Sequence, residues 1–158
     1  MRVRADHAKR SALGKCRLEK DKLGLRFLET IPSTLEALER VLASLMALAR
    51  DMKCGNGEMD EVELALREAL LNAVVHGNRQ DPTRKVMVRG FCQPDRGMLL
   101  VVEDEGGGFD PTKVPDPTGA EFLLETHGRG LFLIRCSVDR VRFSRSGKRV
   151  TMVKRLRR

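Results

Sequence analysis

Two pairs of apolar-rich segments, 86–91 with 98–103 and 138–144 with 149–155, constrain this chain more than any other feature, because only a few turn residues join the members of each pair. The first pair turns through Gln93-Pro-Asp-Arg-Gly97 and the second at Ser146-Gly147. Connections this short allow only antiparallel neighbours, so both pairs read as hairpins. Helical periods surround them. Leu35, Leu38, Val41, Leu42, Leu45 and Leu48 recur at helix spacing behind Pro32 and the capping candidates Ser33 and Thr34, which predicts a helix over 35–50, broken by Gly55-Asn-Gly57. A second helix is expected over 59–75, ending at Gly77 or Asn78, and a short third over 130–136. Residues 23–31, with Leu25, Phe27 and Ile31, read as a strand stopped by Pro32. The order β-α-α-β-β-loop-α-β-β, without internal repeat, predicts an α+β fold. It is a two-layer α/β sandwich whose mainly antiparallel mixed sheet is covered on one face by helices.

A length of 158 residues suits one domain, placed at 23–158 behind a polar leader at 1–22 that has no apolar period and reads as disordered. No apolar run approaches the ~20 residues of a membrane span, and the first residues lack the apolar core of a secretory signal, so a cytoplasmic location is expected. Cys16, Cys54, Cys92 and Cys136 stand singly, without a C-x-x-C pair, and read as reduced thiols packed as small hydrophobes. The net charge of +8 is segregated: residues 1–26 carry nine Lys/Arg against three Asp/Glu, and residues 140–158 carry nine against none. Basic ends suggest phosphate contact. With no Trp or Tyr and six Phe not interleaved with Arg or Lys, a stacking platform for nucleic acid is missing, and solvated charge or an acidic protein partner is the better reading.

Three segments carry chemistry. In Glu68-Ala-Leu-Leu-Asn72-Ala-Val-Val-His76-Gly-Asn78, an acid, an amide and an imidazole recur every four residues, on one face of a helix whose other positions are apolar. A carboxylate and an amide beside a core-facing surface are costly to desolvate unless something pairs with them, and Mg²⁺ with a triphosphate would do so. Asn72 can be an oxygen ligand of the metal, and Glu68 a base one turn away; a solvent-facing stripe, with Glu68 paired to Arg67 or Arg79, is the other reading of the helix. His76 suits a structural contact near the helix end. In Asp104-Glu-Gly106-Gly-Gly108-Phe109-Asp110, an acid follows a buried strand and enters a glycine turn, where it can accept a hydrogen bond from an adenine amino group, or be a surface turn. Gly128-Arg129-Gly130-Leu131 opens a helix whose free N–H groups suit phosphate, or simply starts a helix after the long loop 105–126.

In order and spacing these segments resemble the N, G1 and G2 boxes of the Bergerat-fold (GHKL) ATPases, the superfamily of gyrase-type and histidine-kinase ATP-binding domains, and most of all the anti-sigma-factor serine kinases, the RsbW-like branch. The likeness spans roughly 23–156. It implies ATP and Mg²⁺ as cofactors, Glu68 as general base, Asn72 as Mg²⁺ ligand, Asp104 as adenine contact and residues 111–127 as a lid over the nucleotide; His76, Gly106, Gly108, Phe109, Gly128, Arg129, Gly130 and Leu131 complete the nucleotide site. It also implies a protein serine kinase that phosphorylates a STAS-domain antagonist and binds a sigma factor, as a homodimer, with nucleotide-gated partner binding without transfer as the alternative. A histidine kinase is disfavoured, since no dimerisation hairpin carries a phosphoacceptor His: His7 falls in the leader and His127 in the lid. The chain departs from the family at the final box. Gly147-Lys148-Arg149-Val150-Thr151 has Lys148 where the family carries a Thr whose hydroxyl helps hold the Asp and adenine, implying looser adenine recognition or a hydroxyl from a neighbour.

Overall fold

The computed structural model describes residues 17–21, 24–54, 57–113, 129–144 and 146–155. Six strands, β1 (Arg17–Asp21), β2 (Gly24–Pro32), β3 (Lys85–Gln93), β4 (Gly97–Asp104), β5 (Arg140–Ser144) and β6 (Arg149–Arg155), form one sheet in the order β1-β2-β3-β4-β6-β5. Three helices, α1 (Leu35–Asp51), α2 (Met59–Leu71) and α3 (Arg129–Ser137), complete the α+β sandwich. The sheet is not mixed, however: every pairing is antiparallel. The helical pair α1–α2 returns the chain to the end of the sheet it left, so β3 opposes β2. β6 then inserts between β4 and β5, so the two strands that run the same way never pair.

The strand β1 lies inside the stretch expected to be a leader, and pairs with β2 from Arg17↔Leu28 to Asp21↔Gly24. Its sequence, RLEKD, hides it, because an edge strand needs only backbone partners and so no apolar alternation. Residues 1–16 lie outside the described residues, as do 114–128, which hold most of the expected lid.

Thr34, rather than Ser33, caps α1, its Oγ1 accepting from Ala37 N at 3.2 Å. Ser33 is buried and donates to Arg84 O at 3.1 Å. The apolar stripe of α1 buries Leu38, Val41, Leu42, Leu45 and Met46 against the sheet, where Phe27, Ile31, Val86 and Val88 face them, and α2 adds Val62, Ala65, Leu66, Ala69 and Leu70. Each fully buried Leu or Val contributes about 1.5–3 kcal/mol, so this one layer dominates the stability. On the solvent side Arg50 bonds Glu63 at 2.7 Å and Arg67 bonds Glu39 at 2.5 Å, pairs that align α1 with α2 but, being exposed, add little energy.

Two expectations are corrected here. The basic C-terminal stretch is not wholly solvated: Lys154, on the inner face of β6, is 6% exposed, and its ammonium reaches Glu61, Ser137 O (3.1 Å) and Glu58 (3.8 Å). It thereby ties β6 to the start of α2 and the end of α3. The cysteines are not all separate thiols either. Cys54, in the α1–α2 connection, and Cys92, on the inner face of β3, are joined as a disulfide with Cα atoms 5.9 Å apart, and both are buried. A pairing across 38 residues follows from how a helix connection packs on a strand, which spacing alone does not reveal. Cys136 is a free, exposed thiol on α3, and Cys16 lies outside the described residues.

Candidate functional site

The helix α2 does not stop where its α-helical bonding does. It runs on as a π-helical turn, Asn72–Gly77, closed by bonds from Asn78 N to Ala73 O (2.8 Å) and Gln80 N to Val74 O (2.8 Å). A π turn widens the helix and usually marks a place where side chains must be aimed. Here it begins at Asn72 and carries His76, so Glu68, Asn72 and His76 line one side of a cavity of about 400 Å³. Arg67, one candidate partner of Glu68, is engaged elsewhere, with Glu39 and with Glu63 at 3.9 Å. Among the described residues no hydrogen bond or ion pair reaches the Glu68 carboxylate, which is half-buried.

The start of α3 stands over the same two side chains. A Cβ added at Gly130 would lie 2.9 Å from Glu68 Oε2 and 3.4 Å from Asn72 Oδ1, so this end of the cavity has a carboxylate, an amide and the first turn of a helix at close quarters. Leu131 and Ile134 of α3 line the adjoining wall. Arg129 opens the helix with an exposed side chain that does not line the cavity, and Gly128 lies outside the described residues.

The other end is built by the segment after β4. Asp104 closes that strand, its backbone N–H donating to Lys148 O at 3.0 Å, and Gly106 N donates to Asp104 Oδ1 at 2.7 Å. Gly77 and Gly106 let this turn close onto the helix end: a Cβ at Gly77 would fall 2.5–2.7 Å from the Asp104 carboxyl group, and one at Gly106 would fall 2.0 Å from Gly77 O. Gly106 is thus a packing residue beneath the site rather than part of its lining. Burial raises the Asp104 pKa, partly offset by the Gly106 N–H and the positive charges of Lys148 and Arg84, while Glu103 adds to the rise. A desolvated acid of this kind favours a ligand that donates a hydrogen bond.

Gly108 and Phe109 reach across to the β5–β6 turn, where Phe109 N donates to Ser146 O at 2.9 Å. The Phe109 ring meets Phe143 edge-on, centroids 5.7 Å apart. Between the two ends the walls are apolar, with Val102, Val150, Ile134 and Phe143. Phe143 and Val150 went unnoticed in the motifs because each is an ordinary strand residue that only the fold brings to the cavity, whereas Lys148, expected beside Asp104 from its place in the family's final box, does line the wall. Asn78 was quoted only as the end of the helix, yet it is completely buried. Its amide donates to Ser33 Oγ (2.6 Å) and Lys85 O (2.9 Å) and accepts from Glu105 N (2.9 Å), locking the helix end to the turn after Asp104.

A long cavity with an apolar middle, an acid at one end, and an acid, an amide and a helix start at the other suits a ligand with a flat hydrogen-bonding head and an anionic tail. Residues 31–154 match the family described as the histidine kinase-like ATPase domain. The chain belongs to this family. Its similarity to curated members runs over most of its length: 31% identity to the serine-protein kinase RsbW of Bacillus subtilis (strain 168), covering 78% of this chain and 81% of that protein. The same kinase of Bacillus licheniformis is also 31% identical, covering 80% and 83%, and that of Staphylococcus epidermidis 26%, covering 78% and 82%.

Proposed function

We propose that the protein is an ATP-dependent protein serine kinase of the anti-sigma type, with the nucleotide seated in the cavity between α2, α3 and the turn after β4. The observation that carries this is the meeting of Glu68, Asn72, the start of α3 and Asp104 around one hollow, in a chain similar over about four fifths of its length to serine-protein kinases. The Asp104 carboxylate accepts from the adenine amino group, and the purine lies between Val102, Val150, Ile134 and Phe143. N–H groups at the start of α3 face the phosphates. The side-chain oxygen of Asn72 is the protein ligand offered to Mg²⁺. No cluster of three or more His, Cys, Asp or Glu occurs among the described residues, and a donor set this small fits an ion that keeps waters and phosphate oxygens. Once bound, the ion neutralises charge on the triphosphate. Glu68, without a partner among the described residues, takes the proton from the acceptor serine hydroxyl as that oxygen attacks the γ-phosphorus; the bond from the γ-phosphorus to the β,γ-bridging oxygen breaks and ADP leaves.

The acceptor is a STAS-domain antagonist, and the second partner a sigma factor, as the likeness to the anti-sigma kinases implies. A homodimer is supported by the sheet's outer face, where exposed Leu99 stands between half-buried Phe91 and Val153 without a covering helix among the described residues. No helix is long and apolar enough to cross a membrane among the described residues; a cytoplasmic site of action is part of this proposal.

The test is phosphoryl transfer from labelled ATP to a purified antagonist, read by mass spectrometry of the antagonist. Glu68→Gln is expected to lower the transfer rate about 10²–10⁴-fold while ATP affinity changes less than about threefold. Transfer that survives the substitution removes Glu68 from its role. ATP-dependent partner binding with no phosphate ever found on the partner would favour the binding-only alternative.

A further inference from the structure

One charged side chain of the cavity is left unused by this account. Lys148 lines the wall beside Asp104 and is the only Lys or Arg to do so among the described residues. It is half-buried, and its stem lies against Gly108, where an added Cβ would meet Lys148 Cγ at 3.3 Å. Its own carbonyl holds Asp104 N at 3.0 Å, which fixes the backbones of the two residues side by side. Among the described residues no carboxylate lies within ion-pair distance of its ammonium. Lys148 is nonetheless close enough to Asp104 for its charge to counter, in part, the burial that raises that acid's pKa.

A carboxylate accepts only and an ammonium donates only. Placed together at the base end of a purine site, they present one acceptor beside one donor. Adenine matches that pair with its amino group toward Asp104 and a ring nitrogen toward Lys148. Guanine matches it as well, with N1–H and the 2-amino group toward Asp104 and O6 toward Lys148. In the pose that sets adenine's amino group on a lone carboxylate, guanine would set O6 against an acceptor, and a buried mismatch of that kind is what normally excludes guanine.

We propose that Lys148 contacts the base and sets specificity, so that the site takes guanosine as well as adenosine triphosphates. This deepens the nucleotide-site reading above and rests on it.

Binding of ATP, GTP and CTP to the full chain with Mg²⁺, measured by titration calorimetry, tests it. The wild-type protein is expected to bind GTP within about tenfold of ATP and CTP far more weakly. Both bases give up a bond to the ammonium in Lys148→Thr and Lys148→Met, but adenine keeps its amino group on Asp104 whereas guanine in the same pose sets O6 against the carboxylate, so each variant should weaken GTP at least roughly tenfold more than ATP. The Met variant keeps the stem that packs beside Gly108. The proposal is overturned if wild-type protein binds GTP more than about a hundredfold weaker than ATP, or if both variants weaken ATP and GTP alike, which would make Lys148 a uniform contact to phosphate or sugar. Should neither variant fold, the wild-type ratio alone decides. Failure to bind ATP at all would remove the nucleotide site and this inference with it, whereas ATP binding with GTP exclusion removes only the inference.

Discussion

Asp104 carries opposite demands from folding and from binding. Its folded pKa is raised above the ordinary 3.8 by burial first of all, so folding favours the protonated form. The stability this group contributes is fully present below the unfolded value and is lost as pH rises through the raised folded value. At neutral pH the ionised acid therefore weighs against the empty protein, and a bound amino group would relieve it. Asp104→Asn keeps an oxygen for the Gly106 N–H but removes the charge. The variant is expected to melt higher than the parent at pH 7, the gap closing as pH falls toward 4, while ATP affinity drops at least tenfold. Calorimetric melts at the two pH values check the first part, and a gap that ignores pH would rule out desolvation as the cause. Glu68 differs from Asp104 in kind: its distinction is geometric, a carboxylate without a partner among the described residues at the foot of α3.

At the scale of elements, the site is a junction between the end of α2 and the end of β4. The π turn at Asn72–Gly77 aims the polar face of the helix, and Asn78 ties that helix end to Ser33, Lys85 and Glu105. Two residues just beyond, Arg79 and Gln80, take positive φ (55° each), a conformation that ordinary side chains adopt only under tertiary constraint. Asn78→Ala would remove the buried bond to Ser33 Oγ and the part-buried bonds to Glu105 N and Lys85 O, at about 1–3 kcal/mol for an orphaned buried group and less for the others. A loss of about 2–4 kcal/mol is expected from denaturant titration, with weaker ATP binding because the turn holding Asp104 is released. A loss below about 1 kcal/mol would show that the junction is held by the close packing of Gly77 on Gly106 instead.

For the whole molecule, one layer of helices on one sheet leaves the connection between α1 and α2 to be fastened, and the pairing of Cys54 with Cys92 fastens it. Closing a 38-residue loop constrains the unfolded chain by roughly 4 kcal/mol in the chain-entropy picture. Reduction is accordingly expected to lower the denaturation midpoint of the protein. Thiol titration in denaturant without reductant should find two of the four cysteines reactive. Four reactive thiols would mean that the pair is reduced in the purified protein. The Lys154 contacts with Glu58, Glu61 and Ser137 O fasten the opposite side, where α2, α3 and β6 meet.

Periodicity and turn chemistry were enough to place α1, α2, α3 and five of the six strands, since apolar spacing at 3.6 or 2 residues is a local property that burial imposes directly. The three motif segments were legible for the same reason, each being a run of neighbours. The strand β1 was not, because an edge strand made of charged residues has no apolar alternation to betray it. The π turn, the role of Asn78, the Cys54–Cys92 pair and the arrival of Phe143 and Val150 at the cavity were decided only by tertiary structure. Each depends on which distant backbone lies alongside, and a side chain's sequence neighbours carry no trace of that. Chain order supplied the ends of the cavity; packing of β6 between β4 and β5 supplied its walls and brought a lysine next to its deepest acid.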